Sequence, residues 1–152
     1  KKSLFGKVVA CTYVIEFQKR GLPQAHFLII LANELKLESL KAYNRVVSAE
    51  LSDSVSSPYL HYVVIAYMIH GPCGVMNKMT PCMKQNDKCK LRYLKDFADF
   101  TRHNKNSYPI YMHRDNGRKI QVRGYELDNR WVDLYNPYLL AKYNCHVNVE
   151  VC

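Results

Sequence analysis

The sequence predicts an α+β fold: a central, mainly antiparallel sheet with flanking helices, and a Cys-rich loop as an insertion. Three features lead there. Two runs of β-branched and aromatic residues, 8–17 and 26–31, flank a turn holding Gly21 and Pro23. One stretch, 58–70, has apolar residues at helical spacing. Between that helix and the next β-rich stretch, His70, Cys73, Cys82 and Cys89 fall among Gly, Pro, Asn and Lys.

The bulk properties bound the answer. At 152 residues the chain suits one domain with a real core. The formal net charge is +9 and the pI about 9.3, which favours a polyanionic partner, most plainly nucleic acid. Six cysteines fall well below the density of a disulfide scaffold, so free or metal-bound thiols in a reducing interior are expected. No signal peptide opens the chain and no apolar run is long enough to span a bilayer, so no membrane partner is expected. The chain starts at Lys1 and stops at Cys152 inside an alternating pattern, and residues 1–152 read as a single partial domain cut from a longer polypeptide.

Taken in order, residues 11–31 form a β-hairpin. On its first strand Val14, Glu16 and Gln18 share a face, and on its second Gln24 and His26 do, because residues two apart point the same way. Pairing around a five-residue turn places Gln18 near Gln24 and Glu16 near His26. A carboxylate facing a histidine across neighbouring strands can hold a hard divalent cation, and it can equally be an ordinary surface pair. A short helix is expected around 38–44, followed by strand-like Val46-Val47. Ser57 is placed as N-cap and Pro58 as first residue of the next helix. Leu60, Val63, Val64, Tyr67 and Met68 form its apolar stripe, and Gly71 and Pro72 stop it. His70, in its last turn, complements the helix dipole.

His70-x2-Cys73 has common metal-ligand spacing, whereas the gaps to Cys82 and Cys89 are not those of a standard zinc finger. The four residues can close a tetrahedral zinc; the alternative is a loop of free thiols. Leu91, Leu94, Phe97 and Phe100 recur every three residues, as a short helix or an irregular covering segment. Tyr108 to His113 and Ile120 to Arg123 read as strands of a hairpin turned by Asn116-Gly117, a type I′ signal. Arg114, Arg118, Lys119 and Arg123, interleaved with tyrosines, suit phosphate tracking and base stacking; a solvated hairpin is the plainer reading. Arg130-Trp131-Val132 reads as a short buried strand, 137–143 as a helix, and 144–151 as a strand with Cys145, Val147, Val149 and Val151 on one side.

The ordered set of these pieces resembles the Rep region of Helitron transposons, the Helitron helicase-like N-terminal domain, an HUH nuclease. The matching stretches are Ile15-Glu-Phe-Gln-Lys-Arg-Gly-Leu-Pro23, Ser48-Ala-Glu50, His70-Gly-Pro-Cys-Gly74, Pro81-Cys-Met83, Lys88-Cys89, Tyr108-Pro109, Arg114-Asp115, Leu127-Asp-Asn-Arg-Trp-Val132, Tyr135-Asn-Pro-Tyr138 and His146-Val-Asn-Val-Glu150. They span almost the whole chain.

The resemblance implies single-stranded DNA as partner and metal-assisted nicking and joining in rolling-circle transposition. In that chemistry a divalent metal, Mg or Mn, polarises the scissile phosphate and a tyrosine attacks it. The metal ligand carried over is His26, with Gln24 in place of the motif's first histidine; hairpin geometry offers Glu16 as a third. A neutral glutamine is a weaker ligand, so activity in this copy is expected to be impaired or lost. Lys19, Arg20, Arg114, Arg118, Lys119 and Arg123 are the expected DNA contacts.

Tyr138-x3-Lys142 has a rolling-circle-nuclease spacing, but the family's paired tyrosines follow the His-x-Asn-Val-Glu strand, so no catalytic tyrosine is assigned here; the pair is expected just past Cys152. The partner helicase and its ATP would lie in the parent protein, and a nuclear location follows from the resemblance. The rival readings are a non-catalytic DNA-binding module from a decayed or co-opted transposon, and a zinc-stabilised structural domain.

Overall fold

β-Branched and aromatic residues make Val8–Phe17 (β1) and Pro23–Leu31 (β2) an antiparallel hairpin, with Phe17 opposite Pro23. The computed structural model describes residues 4–17, 21–35, 37, 39–83, 88–105 and 108–151. The chain divides into two compact units, 1–38 and 39–152. In the first, the hairpin carries a register shift between Val8 and Ala10, and Tyr13 lies against its cross-strand partner Phe27 with ring centroids 5.8 Å apart. Its residues are exposed on both faces: Tyr13, Phe17 and Phe27 on one are each more than 60% exposed, and Val14 and Leu28 on the other more than half exposed.

The second unit has three helices and two further two-stranded sheets. Leu40–Val46 (α1) starts at Ser39, whose hydroxyl accepts from the Ala42 N–H; it lies two residues later than the sequence suggests. Pro58–Tyr67 (α2) buries Val63 and Val64, with Met68 capping its end, the expected stripe. Ser57 makes no side-chain cap. Asp53 shapes the entry instead, accepting from the Val55 and Ser56 N–H groups, while its carbonyl takes the Ser57 N–H.

The expected extension of α2 to residue 70 does not form. Ile69 leaves the helix to bridge Val132, and the His70 N–H bonds the Trp131 carbonyl at 2.9 Å. Pairing with a distant segment outcompetes one more helical turn. His70 therefore lies outside α2.

Arg102–His103 (β3) pairs with Pro109–Ile110 (β4), a shorter strand than the 108–113 expected. Residues 91–100 form no helix and cover the core irregularly, with Ala98 bridging His113. The second hairpin is Ile120–Val122 (β5) with Tyr125–Leu127 (β6), and its turn is Arg123-Gly124, both at positive φ (51° and 82°). That is the type I′ signature expected at Asn116-Gly117, where Gly117 alone is at positive φ. The Asn116 carboxamide is engaged elsewhere: its oxygen accepts from the Arg118 N–H and from Asn129 Nδ2.

Residues 129–131 are a 3-10 turn, not a strand, opened by Asp128 accepting from the Arg130 N–H. The chain then runs extended between two neighbours. Val132 bridges Ile69 on one side and Tyr135 bridges Ser48 on the other. This is the nearest approach to the expected central sheet, which does not form: the described strands make three separate two-stranded sheets. Prolines and caps cut each ladder short. Pro72 follows the Ile69–His70 stretch with no N–H to donate, and Asn136 turns from Tyr135 into Pro137–Tyr143 (α3), its side chain accepting from Leu139 and donating to Val46.

Residues 147–151 alternate in burial as expected, with Val147, Val149 and Val151 partly buried, but Cys145, expected on the same side, is exposed, and the stretch joins no ladder. The Val151 N–H instead bonds the Tyr111 hydroxyl at 2.7 Å.

The main core gathers Leu51, Val63, Val64 and Met68 with Leu127, Trp131, Val132, Tyr135 and Leu140, and Cys73 and Cys89 belong to it. No helix among the described residues is long and apolar enough to cross a membrane.

Candidate metal centre

The core reaches the Cys-rich loop through His70. Bonded by its backbone to Trp131, His70 stacks on Tyr93 with ring centroids 4.0 Å apart and planes 9° apart. Tyr93 donates to the Asp133 carboxylate, which also lies 3.5 Å from His146 Nε2. This stack fixes the imidazole plane. Burial holds the His70 pKa below its ordinary value, against the pull of Asp133 towards protonation, so the ring is neutral and able to ligate near pH 7.

The loop then folds back on itself. Met83 bridges Cys89, the Lys90 N–H bonds the Cys82 carbonyl at 2.7 Å, and the Gly74 N–H meets Met83 Sδ at 3.2 Å. The result brings the ligand atoms of His70, Cys73, Cys82 and Cys89 within 4.8 Å of one another, close enough to hold a metal ion. His70 Nε2 and Cys89 Sγ are 3.5 Å apart. Two such donors of a single tetrahedral zinc stand about 3.5 Å apart, given Zn–S of about 2.3 Å and Zn–N of about 2.0 Å. Three sulfurs and one imidazole are a closed structural donor set with no position left for substrate.

The thiols differ. Burial and the neighbouring Cys82 and Cys89 push the Cys73 thiol up to about 12 without a metal. Burial also opposes ionisation of Cys89, but N–H groups of Tyr93 and Leu91 outweigh it and lower its pKa. No disulfide forms among the described cysteines.

The hairpin residues Glu16, Gln24 and His26 do share one face of β1–β2. The expected register is off by two, because Phe17, not Gln18, is the last paired residue of β1 and Pro23 the first of β2. Glu16 lies opposite Gln24, and His26 lies opposite Val14. Glu16 still reaches His26 diagonally, Oε2 to Nε2 3.5 Å, with both side chains more than half exposed.

The expected DNA contacts fare unevenly. Lys19 and Arg20 lie outside the described residues. Arg114 clamps Glu50 with its backbone N–H, Nε and Nη2 at 2.7–2.9 Å. Arg118 pairs with Asp53 at 3.0 Å and Lys119 with Glu126 at 2.6 Å. Arg123 is in no ion pair among the described residues, and its guanidinium would lie 3.9 Å from a Cβ placed on Gly71, at the base of the Cys-rich loop. Tyr138 is exposed on α3, with the Lys142 ammonium 5.7 Å from its ring centre.

Tyr93, Asp133 and Trp131, which orient His70, carry no sequence signal for that role. Tyr93 and Asp133 are 40 residues apart and neither has ligand spacing. No family model matches the chain, and no curated protein matches it.

Proposed function

We propose that the chain is the Rep region of a Helitron rolling-circle transposition protein, binding single-stranded DNA and carrying a weakened HUH-type metal site for nicking and joining. The supporting observation is the placement of Glu16, Gln24 and His26 on one face of one hairpin, with carboxylate and imidazole 3.5 Å apart. A carboxylate, an amide oxygen and an imidazole make a donor set suited to Mg or Mn, and the neutral amide makes it weak. The His70–Cys73–Cys82–Cys89 cluster is the fold's own staple in this reading, and zinc suits its donors best. The protein would act in the nucleus, with ATP used by a helicase elsewhere in the parent protein.

The test is nicking of a labelled single-stranded substrate with Mn present. The protein should extend through the segment after Cys152, as Gln24 and as Gln24→His. Restoration of cutting by histidine supports the reading; equal cutting by both forms removes the claim of a weakened site.

A second reading is a non-catalytic DNA-binding module. It is favoured by the contrast between the closed four-donor cluster and the solvent-open hairpin face. Under it the histidine variant stays inert while both forms bind the strand.

A further inference from the structure

The charge of this protein is not spread evenly. Residues 70–95 hold Lys78, Lys84, Lys88, Lys90, Arg92 and Lys95 against one carboxylate, Asp87: a net +5 of the chain's +9 in 26 residues. Three thiolates around a divalent ion subtract one, leaving +4. No other stretch of the chain that holds a candidate site combines such an excess with a built-in cross-link.

The cations of the 114–119 loop are committed. A phosphate approaching Arg114, Arg118 or Lys119 would have to displace Glu50, Asp53 or Glu126. Lys88, Lys90 and Arg92 are exposed, and none is in an ion pair with a described residue. They are also held. Cys89 bridges Met83 and is buried, while Lys88 and Lys90 on either side of it are exposed, so the thiol faces in and the two ammoniums face out. Residues two apart on an extended chain are about 6.7 Å apart, near the spacing of successive phosphates on a strand.

The Lys90 N–H is tied to Cys82 and the Arg92 N–H to Cys89 at 3.0 Å, each to the carbonyl of a candidate ligand. Arg123 joins them from the β5–β6 turn at Gly71, and that hairpin is fastened to the loop by Tyr125 Oη donating to the Met76 carbonyl at 2.8 Å.

We propose that this metal-tied loop grips the phosphate backbone of single-stranded DNA, with Lys88, Lys90, Arg92 and Arg123 as the contacts and the ion as the clamp that sets their spacing. The proposal rests on the DNA-binding reading above and replaces the 114–119 loop as its surface.

The experiment titrates the zinc-loaded chain with fluorescent oligothymidylate over a series of salt concentrations. It compares the native chain with Lys88→Gln/Lys90→Gln/Arg92→Gln and with Arg118→Gln/Lys119→Gln. Zinc content and Tm are measured for each to establish folding. Losing three phosphate contacts should flatten the slope of log K against log salt by about 2, at about 0.7 per contact on a single strand. The loop pair should leave the slope unchanged. Chelating the zinc should flatten the native slope towards that of the triple variant.

If the native chain binds but the folded triple variant keeps its slope, the loop is not the surface and the DNA reading survives. A native slope that is unmoved by chelation overturns the clamp. Absence of native binding at low salt overturns the DNA reading itself, and this proposal with it.

Discussion

Removing the metal should destabilise the 39–152 unit by an amount that follows from loop closure. An ion shared by His70 and Cys89 joins residues 19 apart, and Cys73 and Cys82 tie the loop at two further points. Closing a loop of that length removes about 3 kcal/mol of denatured-state entropy, before any direct metal–ligand energy is counted. For a unit of this size that is a Tm shift of about 10–15 °C. The assay is thermal unfolding of zinc-loaded protein with and without a strong chelator, beside Cys89→Ser, with zinc content measured in each. The native protein should carry one equivalent and drop on chelation. The serine variant should start near the lower Tm and respond little, because the cross-link is already lost. A chelator shift under about 2 °C, or a serine variant that binds a full equivalent and shifts like the native, would refute the assignment.

Other consequences of the packing are as direct. Asn129 is buried, accepts from the Leu51 N–H at 2.8 Å and donates to the Arg114 carbonyl at 2.7 Å. Asn129→Leu strands both groups and should cost about 3–4 kcal/mol in urea unfolding, with Asn129→Asp also impaired because it cannot donate. Glu50→Ala loses three hydrogen bonds from Arg114 and should cost about 2–3 kcal/mol by the same measurement. Burial works against the Glu50 carboxylate, but Arg114 outweighs it and its pKa lies below the ordinary 4.5. Its stabilisation is therefore complete above that value and lost as pH falls through the lower folded-state pKa, so native protein should lose stability below pH 4.5 more steeply than Glu50→Gln, which has nothing to protonate. Gly124→Ala, at φ +82°, should cost about 1 kcal/mol in the same unfolding assay and weaken the β5–β6 hairpin.

What could be read from the residues was local. The apolar stripe of α2, the Asn136–Pro137 start of α3 and the first hairpin all depend on neighbours within a few positions, and all are present. What failed was decided by distant partners. The last turn of α2 yields to Val132, 63 residues further on, which pairs with Ile69. Asn116-Gly117 has the composition of a hairpin turn, but Asn129 takes up the asparagine side chain, and the turn forms at Arg123-Gly124, where Gln121 can pair with Glu126. The metal cluster was legible because its four donors lie close in sequence, although the distant Trp131 and Asp133 that help place His70 were not.

The cationic surface shows the same limit with a functional consequence. Counting Arg and Lys along the 114–123 stretch finds a basic hairpin. It cannot see Glu50 and Asp53, which lie 64 and 65 residues before Arg114 and Arg118 and neutralise them. A buried carboxylate clamped by three donors is not displaced by a phosphate at the outer edge of the pair without leaving Glu50 buried and unpaired, a cost of about 1–3 kcal/mol or more for a charged group. A contact to Arg114 would therefore be close to neutral in free energy. Cations whose only competitor is water incur no such cost, and counterion release then works fully in favour of binding. Affinity for a polyanion should follow Lys88, Lys90 and Arg92, which form no ion pair among the described residues, and not the total charge. That separates two proteins of equal +9 charge, one that merely dissolves well and one that holds a strand.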